Sequence, residues 1–482
     1  MAEQVRLFVG GSWVTARDGA TFEATSPATG AKIASIAEGS REDAADAIAS
    51  AADAAGAWGR RSAFDRAAAM RRIAAAIDAR REDLARTLSL DQGKPLAAEA
   101  RDEVEELIAY FDMAAADAVR AEGLMPPSID AAKRVLLYRV PRGVVGVISP
   151  WNWPYTMPGE IVAPALAYGN AVVLAPAPTT SVCAARLAEC IEAADLPAGV
   201  FNLVTGPGPV VGDEVASNPR TDAVGFIGSI ATGHRVAERA AGKELLLEMG
   251  GNGPLVICED GDLDAAVAAT LTACFLNAGQ SCTAGERILV HRDVREAYVG
   301  KLAAAVAESI HLGDPFDDAT TMGPLNNGPV VDKTEQHVAD AADRGATVIA
   351  GGSRSPSHGS ELFFEATVID GVTEEMAIAR EETFGPVVPV TSISSEQEAV
   401  DLVNGSPYGL LSAIFTADLG RGLRFAEAAR TGWVNVNEGT NYWESHLPFG
   451  GRSGSRSGVG RVGGRFSMDR LTELKTVVVH LG

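Results

Sequence analysis

Cysteine is scarce in this chain, and positive charge is outnumbered. Only five cysteines occur in 482 residues, Cys183, Cys190, Cys258, Cys274 and Cys282. The count is odd and no pair has CxxC spacing. That argues against a disulfide framework and a zinc site, so no metal is expected, and it favours a reducing, cytoplasmic setting. Lys and Arg number 41 against 63 Asp and Glu, a net charge of -22. A field of that sign repels phosphate backbones, so nucleic acid is not an expected partner. Long uncharged apolar runs are missing, which excludes a transmembrane helix and, with it, a membrane partner. The opening MAEQVRLFVGGSW lacks the basic-then-apolar layout of a secretory signal. No tandem repeat is visible.

What is present suffices for packed cores. Hydrophobic residues make up 46% and charged residues 22% of the chain, so global disorder is excluded. The length exceeds one core and implies two or three domains. Residues 41–86 carry apolar positions at helical spacing, among them Met70, Ile73, Ile77 and Leu84, and a second helical run covers 97–120. From Val135 onward the texture changes. Short apolar runs at 143–148, 171–174, 201–205 and 223–227 end in Gly or Pro, most before a helical pattern. The rhythm restarts after Gly250-Gly251, with runs at 255–258, 287–290, 347–349, 387–393, 411–415 and 433–436. This is the βαβ alternation of parallel sheets covered by helices, so two successive α/β blocks are expected. Residues 450–464, GGRSGSRSGVGRVGG, read as a flexible surface turn. Residues 475–480 read as a terminal strand that must pair within the chain or with another subunit.

Four segments carry candidate chemistry. Cys282 lies in Asn277-Ala-Gly-Gln-Ser-Cys-Thr-Ala-Gly285, where Gly279 ends a helical pattern and small neighbours leave the sulfur approachable. A thiol at such a polar turn can have a lowered pKa and act as a nucleophile. The rival reading is a buried structural cysteine, which suits the other four. Glu248, in Leu245-Leu-Leu-Glu-Met-Gly-Gly-Asn252, is a carboxylate among apolar residues. Burial would raise its pKa and make it a general base; otherwise it is a solvated charge at a helix end. Asn152, in Ile148-Ser-Pro-Trp-Asn-Trp-Pro154, sits between two prolines on an expected stiff, extended segment and could donate to an oxyanion, unless the segment is an aromatic packing loop. Phe226-Ile-Gly-Ser-Ile-Ala-Thr-Gly233 follows a strand and opens a helix whose N-terminus can face a phosphate, although it is not GxGxxG.

Taken together these segments resemble one family. Pro150-Trp-Asn-Trp-Pro154, Gly169-Asn-Ala-Val-Val173, Phe226 to Gly233, Leu247-Glu-Met-Gly-Gly251, Gly279-Gln-Ser-Cys282, Glu381-Glu-Thr-Phe-Gly-Pro386 and Pro448-Phe-Gly-Gly451 occur in the order of the NAD(P)-dependent aldehyde dehydrogenase superfamily, over essentially the whole length. The resemblance implies an α/β fold with two Rossmann-like domains and a small β oligomerisation element. The dinucleotide-binding domain would span 1–122 and 143–249, the catalytic domain 250–465, and the oligomerisation element 123–142 with 466–482. It implies that the Cys282 thiolate attacks an aldehyde and that the Asn152 amide and the Cys282 N–H hold the oxyanion. Hydride then leaves to NAD or NADP, and Glu248 activates water to release the acid from the thioester.

Cofactor contacts are implied at Ile148, Pro150, Trp151, Ala175, Gly208, Gly212, Phe226, Gly228, Ser229, Met249, Gly250, Glu382 and Phe384. Walls for the small-molecule aldehyde are implied at Trp153, Met157, Glu160, Leu276, Trp443 and Phe449. The resemblance also implies a homodimer or homotetramer, joined through a segment near 135–140 and the terminal strand. Two departures matter. Ala175 and Pro178 stand where the family commonly has lysine and glutamate, which leaves NAD against NADP open, and the loop after Phe449 is longer than usual. Glu160 occupies a position that is often basic in members acting on carboxylates. Here it disfavours anionic aldehydes, with Trp153, Trp443 and Tyr442 as aromatic walls, unless Arg452 or Arg456 reaches in. The alternative is that Glu160 complements a helix N-terminus. Rival functions are a CoA-acylating enzyme, which usually lacks the hydrolytic base, and an inactive homologue, which would lack Cys282, Glu248 or Asn152.

Overall fold

The protein was described as a computed structural model, which covers residues 3–482. Five parallel strands form the heart of the first sheet, in the order Glu244–Met249, Ala223–Gly228, Val144–Ser149, Ala171–Pro176 and Phe201–Leu203. The hairpin Leu7–Val9 and Ser12–Val14 extends one edge. These strands read as largely apolar runs because helices cover both faces; every residue of Ala171–Pro176 is buried. The second sheet runs Thr347–Ala350, Thr367–Asp370, Val387–Ile393, Gly285–His291, Gly253–Ile257, Leu411–Phe415 and Trp433–Val436, antiparallel only at its first pair. The chain crosses from one sheet to the other at residues 250–252. A three-stranded sheet is built from Glu3–Val5, Lys32–Ala37 and Thr21–Thr25, and Lys133–Pro141 pairs with Thr472–His480 as a separate antiparallel ribbon. Among the described residues, no helix is long and apolar enough to cross a membrane.

The run 41–86 divides into helices Arg41–Gly59, Ala63–Ala79 and Arg81–Asp91. Ser40 and Ser62 each accept a backbone N–H at a helix start, so capping sets the first two boundaries. The segment 450–464 is not the flexible turn its composition implies. Gly458–Val459 pairs antiparallel with Leu247 and Glu248, becoming the outer edge of the first sheet. A Cβ on Gly458, where φ is +126°, would lie 2.1 Å from the Leu247 carbonyl oxygen. Glycine there permits a close backbone approach. Phe449 and Val462 exchange backbone hydrogen bonds of 3.0 and 2.9 Å and close the loop.

Candidate active site

The carboxyl ends of the first-sheet strands face the second sheet, where an open parallel sheet binds ligands. Glu248 lies near the end of Glu244–Met249. Its strand is fixed by Ile227 on one side and Gly458 on the other. Asn152 follows Val144–Ser149 directly. The backbone there bends through 151–155 into the helix Thr156–Ala167 instead of running extended, because Pro154 lies in a turn that starts that helix. Cys282 sits in the turn before Gly285–His291. The preceding helix Leu263–Phe275 ends earlier than Gly279, since Asn277 and Ala278 both adopt φ of 53° and Gly279 adopts 74°. Only Gly visits that region freely, and Asn tolerates it.

Buried amides hold this strained turn. Asn277 Nδ2 donates to the Asn152 carbonyl oxygen (2.8 Å) and to the Gln280 carbonyl oxygen (3.3 Å). Gln92 Nε2 donates to Asn277 Oδ1 (2.9 Å), and Glu99 accepts the Asn277 N–H (3.0 Å). Asn152 Nδ2 donates one hydrogen to the Gln280 carbonyl (3.0 Å), leaving its other hydrogen for a ligand. Among the described residues, the Cys282 N–H has no backbone acceptor. An amide N–H and a backbone N–H are therefore both available beside the sulfur, as an oxyanion site requires.

The electrostatics correct one expectation. The thiol of Cys282 is not lowered in pKa; burial first, then the charges of Glu248 and Glu382, push it well above the ordinary thiol range. The sulfur shares its enclosure with carboxyl groups, and the cation of the adjoining cleft, Lys333, acts on Glu382 rather than on the thiol. Glu248 is itself pushed up to about 8, mainly by burial, and its Oε1 has no hydrogen-bond partner. A carboxyl group in that state is poised to take a proton near neutral pH.

Two cavities meet at Met157, Glu248 and Cys282. The first, about 530 Å³, is lined by all six expected wall residues, Trp153, Met157, Glu160, Leu276, Trp443 and Phe449. It also takes Glu106 and Tyr110 from the helix Arg101–Ala118, together with Thr156, Ser281, Thr283 and Asn441, which the motifs did not point to. Glu160 is not a helix-start charge. It lies in the second turn of Thr156–Ala167, is only 5% exposed, and faces the cavity. Tyr442 is exposed and donates to Glu444 (2.7 Å), outside the lining.

The second cavity, about 810 Å³, gathers Pro150, Trp151, Gly228, Ser229, Gly250, Glu382 and Phe384. Glu382 accepts the Gly251 N–H (2.9 Å), and a Cβ on Gly250 would come within 2.4 Å of its carboxyl oxygen. Phe384 meets Trp151 edge-on at 5.6 Å. Its φ of 62° is maintained by Glu286, which accepts the Thr383 and Phe384 N–H groups at 2.7 and 2.6 Å. Asn327, Pro329, Val330 and Lys333, at the start of the helix Gly328–Asp343, complete the cleft along with Ile227. Their local sequence carries no signal of this role.

Other expected cofactor contacts fall elsewhere. Phe226 and Met249 do not line the cleft. They are buried under the helix Ile230–Arg239, where Gly233 lets that helix approach them. Ile148 and Ala175 pair at the ends of neighbouring strands, with Gly212 against Ile148 and Gly208 exposed in the adjoining turn. Cys258, Glu259 and Asp260 form a group that could ligate a metal, but Arg421 donates to both carboxylates at 2.9 Å and occupies it. The other cysteines are buried and free.

The comparisons with known proteins agree across the full chain. The aldehyde dehydrogenase family model matches residues 13–477. A 3-sulfolactaldehyde dehydrogenase of Pseudomonas putida is 40% identical over 474 residues, covering 98% of this chain and 96% of that one. An NADP-dependent succinate-semialdehyde dehydrogenase of Escherichia coli is 36% identical over 478 residues, 99% of this chain and 98% of its own. A betaine aldehyde dehydrogenase of Staphylococcus aureus, solved with NAD+, superposes with a TM-score of 0.95 at 34% identity, covering 99% of this chain and 95% of that one.

Proposed function

Because this chain belongs to the aldehyde dehydrogenase family and oxidises an aldehyde to its carboxylic acid with NAD(P), we propose that Cys282 is its nucleophile, Asn152 its oxyanion donor and Glu248 its base. The observation that carries this assignment is the meeting of thiol, free N–H donors and a carboxyl of raised pKa where the two cavities join. Cys282 Sγ attacks the aldehyde carbon, and its proton passes to Glu248. The Asn152 amide and the Cys282 N–H stabilise the alkoxide, which makes the thiohemiacetal a competent hydride donor. Once Glu248 has released that proton to solvent, it takes a proton from water as the water attacks the thioester; the C–S bond breaks, the acid departs and Cys282 is restored as the thiol. A CoA-dependent release would leave Glu248 without a task.

The larger cleft fits a dinucleotide. Gly250 leaves the space that a Cβ would fill beside Glu382, and Lys333 supplies a cation. When bound, NAD(P)+ supplies the hydride acceptor and a positive charge. Glu382 would hold the nicotinamide ribose, Ser229 and the helix start behind it the pyrophosphate. With Ala175 and Pro178 in place of charged residues, weak discrimination between NAD and NADP is expected. The ribbon Lys133–Pro141 with Thr472–His480 exposes Tyr138, Leu474, Val478 and Val479, which supports a homodimer or homotetramer joined through it. The domain division at residues 250–252 and a cytoplasmic setting, supported by five free cysteines, belong to the same reading.

Succinate semialdehyde and sulfolactaldehyde, for which two relatives are named, carry an anionic tail. No Lys or Arg lines the smaller cavity here. Arg452 and Arg456 are exposed on the glycine-rich loop, and the buried Lys94 is paired with Glu103. We therefore assign this enzyme to aldehydes without an anionic tail. The catalytic test is Cys282→Ala, which should lower turnover by about three or more orders of magnitude while cofactor binding survives. Turnover near that of the wild type would refute the assignment.

A further inference from the structure

We propose that the aldehyde cavity contains a cation subsite, in which Glu160, seconded by Glu106 and walled by Trp443 and Trp153, receives an ammonium group on the substrate tail. The inference rests on the reading of Cys282 as the nucleophile at the cavity's junction with the cleft. Glu160 stands on a helix whose neighbours Ile161, Val162, Ala163 and Ala165 are apolar and buried. Its Oε1 is shut off from solvent and has no hydrogen-bond partner, yet the side chain borders the cavity. An isolated carboxylate in such a place is costly unless it is neutralised or paired. Among the described residues no cation pairs with it, and its neighbour of hydrogen-bonding character is the Tyr110 hydroxyl. Lys94 is committed to Glu103 and its Nζ sits 3.1 Å from the centre of the Trp153 ring, outside the lining.

Three carboxyl groups, Glu106, Glu160 and Glu248, border one cavity without a basic residue. Burial, with the charges of Glu248 and Glu106, pushes the Glu160 carboxyl well above the ordinary range; burial and Glu103 push Glu106 up to about 7. A cation is the ligand this lining suits best, because it can pair with an ionised Glu160 where the cavity offers no other positive charge. A neutral hydroxyl brings no such pairing, and an anion would meet carboxyl groups with no cation beside them. The aromatic walls point the same way. Trp443 stacks on Tyr110 at 6.4 Å and leans on Phe449 at 5.8 Å, which fixes its ring at the cavity wall. Trp153 already carries Lys94 against its ring, so Trp443 is the better π partner for a second cation. Glu160 and Cys282 line one cavity of about 530 Å³, so the tail joining aldehyde and ammonium is short.

The test uses two aldehydes of the same shape, a propanal ending in trimethylammonium and its tert-butyl isostere. In the wild-type enzyme the ratio of kcat/KM should favour the cation about tenfold or more, and Glu160→Gln should bring the ratio to about one. The corresponding alcohols give a readout independent of turnover and of the variant's folding: the cationic alcohol should protect Cys282 of the wild type from iodoacetamide at lower concentration than the neutral one. Equal ratios or equal protection in the wild type would overturn the proposal, as would a cation preference that survives Glu160→Gln. Failure of the catalytic reading looks different, since Cys282→Ala would then still oxidise one of the two aldehydes.

Discussion

Asn277 touches no ligand, yet replacing it should disable the chemistry. The informative variant is Asn277→Asp. Asp is the same size and also tolerates the left-handed φ of 53° that this position requires. The bonds from Gln92 and to Glu99 survive, because Oδ1 and the backbone N–H are unchanged. What changes is Nδ2, which becomes an oxygen facing the carbonyls of Asn152 and Gln280, at 2.8 and 3.3 Å in the wild type. The Gln280 carbonyl keeps the Asn152 amide as a donor, so one buried acceptor, the Asn152 carbonyl, is left unpaired, at a cost of about 1–3 kcal/mol. A protonated Asp restores one donor and lowers that cost. If about 1.4–2.7 kcal/mol of it is felt in the transition state as displacement of Asn152, kcat falls about ten- to a hundredfold. The fall should be larger at pH 8 than at pH 6, since ionisation of the Asp removes the restored donor. Steady-state kcat and the cofactor KM should be measured at both pH values. Wild-type kcat, or a change confined to the cofactor KM, would show that the amide network does not position the oxyanion donor.

Three further outcomes are expected. Glu248→Gln should give a burst of reduced cofactor followed by slow turnover; wild-type kcat should rise with pH through about 8 as the base form of Glu248 appears, and an unaltered pH profile in the variant would contradict its role. Glu106 is pushed up from its ordinary 4.5 to about 7, so its folded-state proton favours the native state below pH 4.5 and that advantage is lost as pH rises through 7. The melting temperature of the ligand-free protein should therefore decline from about pH 5 to pH 8, less steeply in Glu106→Gln, and identical slopes would refute this. Pro178→Glu should penalise NADP more than NAD by setting a negative charge against the 2′-phosphate, and equal losses for both cofactors would remove this segment from the ribose site.

Much of the architecture was legible in the sequence by itself. The runs 387–393, 411–415 and 433–436 are strands with those same limits, because short runs dominated by apolar and β-branched residues suit a sheet covered by helices. The spacing of motifs around Asn152, Glu248 and Cys282 singled out the three groups that meet, since each motif places its polar residue at the end of a strand or in a turn before one. Other features depend on segments far apart along the chain. Glu106 and Tyr110 on one helix, and Lys333 on another, reach the two cavities with nothing in their surroundings to distinguish them from solvated or core residues. Phe226 and Met249 turn inward because Gly233 lets a helix close over them. Glu160 could have been a helix-start charge or a cavity wall on local pattern alone; tertiary packing decided it by removing water and leaving the carboxyl unpaired. The thiol of Cys282 shows the same division. Small, polar neighbours predict an accessible, acidic sulfur, whereas its proton affinity is governed by desolvation and by carboxylates contributed from other strands and loops, which only the folded chain brings within electrostatic range.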